Sequence, residues 1–359
     1  MRITSMLFFV SYGVGVGALP ALAHDNKVLV YNWSDYVAEE VLETWGEDTG
    51  FGIEIDSYAN ANEAEARLVA RGTGYDIVVV TSESVGRIIA SGGVQKLVPD
   101  NFPDIVKPLP YLEDLLFSNV PEARDYVVPY MWGTTGVAYN MEEVAARIPD
   151  APTDSWSLIF DPENAKRMAD CGITIVDSNE EVVAAALAYL GKNPRSKDPE
   201  DLDAAFEVLS AIEPYISDFN TEQYDDLMNG EICLSLTWSS EGLGPMLEGE
   251  GDYAYMIPKE GTNMWADVIV VPIDAKHFEL ANKTINHLIN RQNLALGVEY
   301  LFGAISSEEL VDVVDSSLFE YPALSLPEGI REVLYLAPQY TGAEKEKLDK
   351  RWRQLQLGM

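Results

Sequence analysis

Hydrophobic and polar residues follow two different periods in the first third of the chain. Residues 28–31 form an apolar run, and apolar residues then recur at helical spacing through residues 37–50. Residues 53–56 alternate as a half-buried strand does, residues 64–71 have a helical pattern, and residues 75–80 form a β-branched run typical of a strand buried on both faces. Repeated strand and helix units of this kind predict a mostly parallel sheet with helices on its faces.

The same two periods return in the second half, after a long extended stretch. Residues 126–140 contain Gly133 and Gly136, and we interpret this stretch as a crossing between two lobes. The pattern then predicts a strand at 173–176, a helix at 180–190, a polar loop at 192–199, a helix at 202–212, a strand at 232–237, a return strand at 268–271, a helix at 281–289 and an amphipathic tail at 343–357.

The amino terminus has the pattern of a secretory signal peptide. Arg2 precedes an apolar run at residues 6–22, and Ala21-Leu22-Ala23 matches the small-residue cleavage site. We expect residues 1–23 to be removed on export. The alternative is a membrane anchor, but three glycines and a proline interrupt a run that is barely long enough to span. No later segment reaches that length, so we expect no membrane insertion after cleavage.

Chain length predicts two domains. About 336 residues remain after cleavage (359 − 23), and single hydrophobic cores rarely grow to that size.

The two cysteines predict a disulfide. Cys171 and Cys233 lie 62 positions apart (233 − 171) and lack the spacing of metal ligands. An even pair in an exported protein favours a disulfide, and two buried thiols are the alternative.

The charge balance narrows the classes of partner. The formal net charge is −35, which opposes binding to nucleic acid and to acidic membranes and would concentrate cationic ligands. A solvated surface suited to saline surroundings explains the same charge.

Three tryptophans are each followed within three positions by a carboxylate. An indole face beside a carboxylate can hold an organic ammonium ion, because the ring attracts the cation while the oxygens accept its hydrogens. Acidic residues are so frequent, 59 of 359, that the pattern alone is close to chance. The pairs are Trp33 with Asp35, Trp238 with Glu241, and Trp265 with Asp267.

Position along the chain separates these tryptophans. Open α/β sheets bind ligands outside the carboxyl ends of their strands. Trp33 and Trp238 end predicted strands, and Glu83 follows another, so we expect all three at the crevice. Trp265 precedes its predicted strand and reaches the same rim only if that strand runs antiparallel. Trp45 lies on the apolar face of a helix, and we assign it to the core.

The phrase Tyr31-Asn32-Trp33-Ser34-Asp35-Tyr36 resembles the periplasmic polyamine-binding proteins of bacterial ABC importers, the putrescine and spermidine receptors. The likeness recurs along most of the chain. Further phrases that carry it are Pro129-Tyr130-Met131-Trp132-Gly133-Thr134-Thr135-Gly136, Asp154-Ser155-Trp156, Tyr189-Leu190-Gly191-Lys192, Asn229-Gly230-Glu231-Ile232-Cys233, Ile257-Pro258-Lys259-Glu260-Gly261 and Trp265-Ala266-Asp267.

This resemblance implies an α/β, two-lobed periplasmic-binding-protein fold of type II, in which each lobe is a mixed sheet flanked by helices. The implied boundaries are 24–132 plus 264–310 for the N-terminal lobe and 133–263 plus 311–359 for the C-terminal lobe. The lobes would close on a polyamine, and the closed receptor would deliver it to the permease of an ABC importer. The resemblance further implies a periplasmic monomer that is not an enzyme and needs no metal or other cofactor.

The resemblance also implies a set of ligand-binding residues, an aromatic box for the alkyl chain with carboxylates for the ammonium ends. It matches the two cysteines to a disulfide found in some members. Glu180 is the less favoured neighbour of one matched carboxylate. The matched site residues are Trp33, Ser34, Asp35, Tyr36, Glu181, Trp238, Trp265 and Asp267.

Three positions depart from the family pattern. Glu241 replaces a shorter aspartate, Glu83 stands where a small hydroxyl residue is common, and Gly303 stands where an aromatic residue is common. We include Glu83 and Glu241 among the ligand-binding residues. An added carboxylate and a lost ring would open the site to a triamine such as spermidine.

Other functions remain as alternatives. The sequence lacks Gly-x-Ser-x-Gly, Gly-x-x-x-x-Gly-Lys and His-Glu-x-x-His, but a glycosidase with two carboxylates needs no fixed spacing. Cleavage would give His24 a free amino group, which with His277 or His287 suggests a copper site. Another solute, such as an amino acid, an iron complex or agmatine, is a further alternative. An amino acid would require an arginine that the proposed motifs lack.

Overall fold

The computed structural model describes residues 27–118, 120–249 and 252–359. The predicted signal peptide, residues 1–23, and the copper candidate His24 lie outside these residues. Within the described ranges, no helix has both the length and the apolar character needed to cross a bilayer.

Ten strands form one continuous sheet that runs through both lobes. The strand order is β2-β1-β3-β9-β4-β7-β5-β6, with β8 paired to β4 and β10 paired to β9. The strands are β1 (Lys27–Trp33), β2 (Gly52–Tyr58), β3 (Ile77–Thr81), β4 (Val128–Asn140), β5 (Ile173–Val176), β6 (Asp218–Asn220), β7 (Leu234–Trp238), β8 (Tyr253–Met256), β9 (Thr262–Val270) and β10 (Leu334–Tyr335).

Helices cover the faces of this sheet, with short 3₁₀ turns between some of them. The α-helices are α1 (Glu39–Thr49), α2 (Ala61–Val69), α3 (Val85–Ser91), α4 (Pro110–Ser118), α5 (Met141–Arg147), α6 (Ser157–Phe160), α7 (Pro162–Met168), α8 (Asn179–Tyr189), α9 (Pro199–Ile212), α10 (Gln223–Met228), α11 (Ser239–Glu248), α12 (Phe278–Leu288), α13 (Arg291–Leu301), α14 (Pro322–Ser325), α15 (Glu328–Arg331) and α16 (Gly342–Gln356).

Two long strands, β4 and β9, join the lobes. In the first lobe β1 runs parallel to both β2 and β3, and in the second lobe β5 runs parallel to both β6 and β7. The strand β9 is antiparallel to β3 and β4, and β4 is antiparallel to β7. The prediction of an α/β fold with two lobes, each with a mixed sheet flanked by helices, is confirmed.

The return strand is longer than its sequence pattern predicts. The pattern placed it at 268–271, but β9 spans Thr262–Val270 and is buried throughout. Trp265 and Asp267 therefore lie inside the strand rather than before it. The strand is antiparallel, as their position at the rim requires, and Asp267 faces Thr81 at the carboxyl end of β3.

Residues after 311 pack against two different core clusters. The predicted C-terminal lobe began again at residue 311, but Val314, Leu318 and Leu324 pack in the same hydrophobic cluster as Val28 of β1. Trp352 instead packs in the cluster of the second lobe. Residues 314–324 therefore pack beside β1, and the lobe boundaries stay a prediction.

The two cysteines form a disulfide within the second lobe. Cys171 and Cys233 are bonded, with their Cα atoms 5.6 Å apart. The bond joins the segments that lead into the neighbouring parallel strands β5 and β7, in which Ile173 pairs with Leu234. The loop that it closes contains α8 and α9, so the bond limits the freedom of most of this lobe in the unfolded chain.

Replacing both cysteines by alanine should lower the free energy of unfolding by about 4 kcal/mol, the chain-entropy value for a loop of this length. Urea denaturation under oxidising conditions measures the loss. Wild-type protein denatured with a thiol reductant is the matched control and should lose a similar amount. A denaturation midpoint unchanged by the double substitution would contradict the expected role of the bond.

Candidate functional site

A cavity of about 760 Å³ lies between the two lobes. Strand ends and loops from both lobes supply its walls. It is lined by Trp33, Ser34, Asp35, Tyr36, Tyr58, Ala59, Thr81, Glu181, Thr221, Glu222, Tyr224, Asp225, Trp238, Ser240, Glu241, Glu248, Trp265, Asp267, Glu299, Tyr300, Leu301 and Phe302.

The lining combines negative charge with aromatic surface. Eight carboxylate side chains and eight aromatic rings line the cavity, and no lysine, arginine or histidine is among its lining residues. Carboxylates at this density repel one another, and a cation placed among them relieves that repulsion. The cavity is therefore suited to a ligand that carries positive charge on an apolar body.

The loop after β1 forms one wall. Trp33 is the last residue of the strand, and Ser34, Asp35 and Tyr36 follow it at the cavity. Asp35 has a φ of 50°, a left-handed conformation that aspartate tolerates better than most residues. This turn lets the chain reverse at the strand end and present consecutive side chains to the cleft.

Asp267 is a buried carboxylate at the centre of the site. Its side chain accepts a hydrogen bond from the Tyr36 hydroxyl. Burial raises the pKa of Asp267 to about 7, while the hydroxyl lowers it and the charge of Glu181 raises it. Its protonation is thus balanced near neutrality, and a cation that replaces lost water would favour the ionised form.

Trp265 is held by the crossing strand. Its indole Nε1 donates to the backbone carbonyl of Thr134 at 3.2 Å, and its ring lies against Gly133. A Cβ on Gly133 would come within 2.1 Å of that ring, so only glycine permits this approach. The ring is consequently fixed between the crossing strands, with one side toward the cavity.

Glu181 joins the site from the first turn of α8. It is 4% exposed and accepts hydrogen bonds from Thr135, from Ser178 at 3.0 Å and from the Trp238 indole at 3.1 and 3.2 Å. A carboxylate with this many donors is fixed in place at the cavity wall. The Trp238 ring is oriented by the same bond.

Glu241 forms the opposite wall with residues of α10. Its carboxylate accepts a hydrogen bond from the Tyr224 backbone N–H at 3.2 Å. Burial raises the pKa of Glu241 to about 7, the Tyr224 N–H lowers it, and Asp225 raises it. Sequence patterns did not single out Tyr224 or Asp225, because the six-residue helix α10 is too short to give a periodic signal.

Two aromatic residues line the cavity near Gly303. We expected the glycine to remove a ring from the site, but Tyr300 and Phe302 line the cavity at the end of α13. Phe302 has a φ of 48°, so the chain turns sharply there. These neighbouring residues supply aromatic surface, and the expectation that Gly303 removes a ring stays a prediction.

Glu83 lies apart from the other predicted site residues. It does not line the main cavity but a smaller one of about 230 Å³. Its side chain is buried, and its Oε1 has no hydrogen-bond partner. Burial, together with the charges of Glu181 and Glu180, raises the pKa of Glu83 to about 8.

The predicted site residues therefore divide between two places. All except Glu83 meet at the main cavity, and their binding role stays a prediction. Sequence reasoning missed Tyr58, which ends β2 beside β1 and which the rule of carboxyl strand ends would have found. It also missed Glu222, which follows the three-residue strand β6, and Glu248 and Glu299, which lie in α11 and α13.

The lobes touch beside the cavity through an ion-pair network. Arg87 of the first lobe binds both oxygens of Glu65 at 2.6 and 2.8 Å and donates to Glu180 of the second lobe at 3.2 Å. Arg87 also donates to the backbone carbonyl of Tyr340 at 3.0 Å. All three charged side chains are largely buried, so the two lobes are in direct contact at this point.

Metal ligands are scarce in the part of the chain that the structure describes. The single group of three potential metal-binding side chains found there is Glu143, Cys171 and Cys233. Both of these cysteines are in the disulfide. His277 lies 3.1 Å from an oxygen of Asp76, and His287 lies 2.9 Å from the carbonyl oxygen of Val41.

Related sequences match nearly the whole chain. A putrescine-binding periplasmic protein of Pseudomonas aeruginosa strain UCBPP-PA14 is 33% identical over 346 residues, 94% of each chain. A putrescine/agmatine-binding protein of P. aeruginosa strain PAO1 is 34% identical and covers 88% of each chain. A putrescine-binding periplasmic protein of Escherichia coli K12 is 32% identical and covers 90% of this chain and 91% of its own.

Solved structures share the fold. The spermidine/putrescine ABC transporter substrate-binding protein of Streptococcus pneumoniae superposes with a TM-score of 0.75 at 21% identity, covering 93% of this chain and 99% of its own. A lipoprotein of Treponema pallidum superposes with a TM-score of 0.77 at 19% identity, covering 92% and 99%. The model of the bacterial extracellular solute-binding protein family matches residues 40–320, and the chain belongs to this family.

Proposed function

We propose that this protein is an extracytoplasmic receptor that binds a polyamine in the interlobe cavity and delivers it to an ABC permease. The observation that carries the proposal is the lining of the cavity, which has eight carboxylates, eight aromatic rings and no cationic side chain. The names of its relatives as putrescine-binding and putrescine/agmatine-binding proteins support the same class of ligand.

The contacts that the cavity offers can account for micromolar affinity for a polyamine. A charge-assisted hydrogen bond contributes about 1.5 to 3 kcal/mol, and a desolvated cation–π contact about 2 kcal/mol. Each buried methylene adds about 0.8 kcal/mol. Micromolar affinity, about −8 kcal/mol, is within reach of two capped ammonium groups and a short alkyl chain after the costs of association.

Both lobes contribute to the cavity, and this links binding to closure. Trp33 and Asp267 belong to the first lobe, whereas Glu181 and Trp238 belong to the second. A ligand that touches both sets binds the closed form more tightly and shifts the population toward it. The closed form would then be the signal that the permease recognises.

The proposed setting is the periplasm, with a monomeric receptor that is not an enzyme. The relatives are named as periplasmic proteins, and the sequence has the pattern of a signal peptide at residues 1–23. Fixed carboxylates around a bound cation stabilise the cation and do not react with it. A carbohydrate ligand would instead require neutral hydrogen-bonding groups beside the rings.

A thermal-shift panel tests the class of ligand. Putrescine, cadaverine, spermidine and agmatine should raise the Tm, because each places cationic groups among the carboxylates and binds only the folded protein. Neutral sugars and zwitterionic amino acids are the controls and should leave the Tm unchanged. Stabilisation by sugars or amino acids without stabilisation by any polyamine would contradict the proposal.

Replacing Asp267 by asparagine should weaken putrescine binding about 30-fold or more, because a buried ammonium loses a charged acceptor. Isothermal titration measures the loss. Glu222→Gln is a control that removes one charge from an exposed lining residue, and it should change the affinity by about threefold or less. An Asp267→Asn variant that binds putrescine as tightly as the wild type would exclude Asp267 as a contact.

Putrescine affinity should depend on pH around neutrality. Burial raises the pKa values of Asp267 and Glu241 to about 7 in the empty site, and a bound cation favours their ionised forms. Affinity is therefore full above about pH 7 and falls as the pH is lowered through that value, by up to about tenfold per pH unit for each linked proton. The ligand amines remain charged throughout this range.

Titrations between pH 5.5 and 8.5, each in two buffers with different ionisation enthalpies, measure the affinity and the protons released. The Asp267→Asn variant should release fewer protons than the wild type. Constant affinity from pH 6 to 8 with no proton release would contradict the coupling.

A further inference from the structure

A second cavity adjoins the main one. It has a volume of about 230 Å³, and six residues line both cavities, so the two adjoin between the lobes at a shared boundary that we call the neck. The shared residues are Trp33, Ala59, Thr81, Glu181, Thr221 and Trp238.

The neck has the chemistry of an ammonium site. The rings of Trp33 and Trp238 come from opposite lobes and meet edge to face, with centroids 5.7 Å apart and an angle of 65° between their planes. Glu181 lies beside them, bonded to the Trp238 indole. A flexible alkylamine placed at the neck would therefore contact two indoles and one carboxylate.

Beyond the neck, Glu83 has an oxygen without a partner. The side chain lines the second cavity and is only 4% exposed, and its Oε1 is buried with no hydrogen bond. The charges that act most strongly on it are the carboxylates of Glu181, Glu180 and Asp267, which together with burial raise its pKa. A buried acceptor in this state is costly to the empty protein and is satisfied by a donor with positive charge.

Neighbouring carboxylates of the second cavity already have partners. Glu180 accepts from Arg87 at 3.2 Å, Asp349 is paired with Lys345, and Asp177 accepts from the Trp352 indole at 2.6 Å. The cavity is lined by five carboxylates against two cationic side chains. Its net charge is therefore negative, and Glu83 is the lining carboxylate with a buried oxygen left unsatisfied.

We propose that the second cavity binds the third ammonium group of a linear triamine, with Glu83 as its acceptor. This inference rests on the proposed function of the main cavity. The four-carbon diamine unit of the ligand lies in the main cavity, its secondary ammonium lies at the neck beside Glu181, and its three-carbon arm reaches Glu83. Each ammonium group then faces a carboxylate. This pairing is needed because burying an ammonium group without an opposite charge costs several kcal/mol.

Isothermal titration with putrescine and spermidine tests this placement. The wild type should bind spermidine about tenfold or more tightly than putrescine, because the triamine adds a buried ion pair. Glu83→Gln keeps the shape of the side chain and removes the charge, so it should reduce this preference to about threefold or less with little change for putrescine. Glu222→Gln is the matched control and should weaken both ligands alike.

A change in the ligand provides a second measurement that does not depend on folding of a variant. Spermidine acetylated on its aminopropyl nitrogen lacks the third charge and should bind the wild type no more tightly than putrescine does. The Tm of the empty Glu83→Gln protein should equal or exceed that of the wild type, since a costly buried carboxylate has been removed.

The outcomes separate the two proposals. Equal affinities for the two polyamines in the wild type, or a spermidine preference that survives Glu83→Gln, would overturn the site for the third ammonium and leave the diamine receptor intact. Failure of every polyamine to bind would overturn the proposed function itself.

Discussion

The cleft is organised around carboxylates that are buried without a cation of their own. Asp267, Glu181 and Glu83 are each at most 5% exposed, and removing such groups from water costs several kcal/mol unless opposite charge or hydrogen bonds replace the water. The protein supplies part of this replacement through hydroxyl and indole donors. The remainder must come from the ligand, so the empty site has a built-in requirement for positive charge.

The strands that place these carboxylates could be predicted in outline from the sequence. Apolar runs in the sequence predicted β1, β3, β5 and β7. Because ligands bind outside the carboxyl ends of such strands, Trp33 and Trp238 were then predicted to lie at one crevice. The return strand was less visible, because polar residues interrupt its apolar pattern. Asn263 is buried there and accepts from the Ala337 backbone N–H at 2.7 Å, while Asp267 accepts from Tyr36. Polar residues that serve as acceptors inside a strand look like a loop in sequence.

The remaining features depend on contacts between distant segments, which no local pattern contains. Glu83 follows its strand as expected, yet the course of the chain after β3 turns it into the smaller cavity. Tyr300 and Phe302 line the cavity near Gly303, where a left-handed residue ends α13. Position along a strand predicted which residues approach the crevice but not which of its two compartments they reach.

Two adjacent carboxylates at the start of α8 connect the site to lobe closure. Glu181 faces the ligand cavity, whereas Glu180 accepts from Arg87 of the opposite lobe. Since both occupy the first turn of one helix, the helix cannot move away from the first lobe without separating Glu180 from Arg87 and Glu181 from the other half of the cleft. A cation bound between Glu181 and Asp267 would therefore stabilise the same lobe arrangement that the buried ion pair stabilises. Electrostatic attraction to the ligand and closure of the lobes thus become one equilibrium.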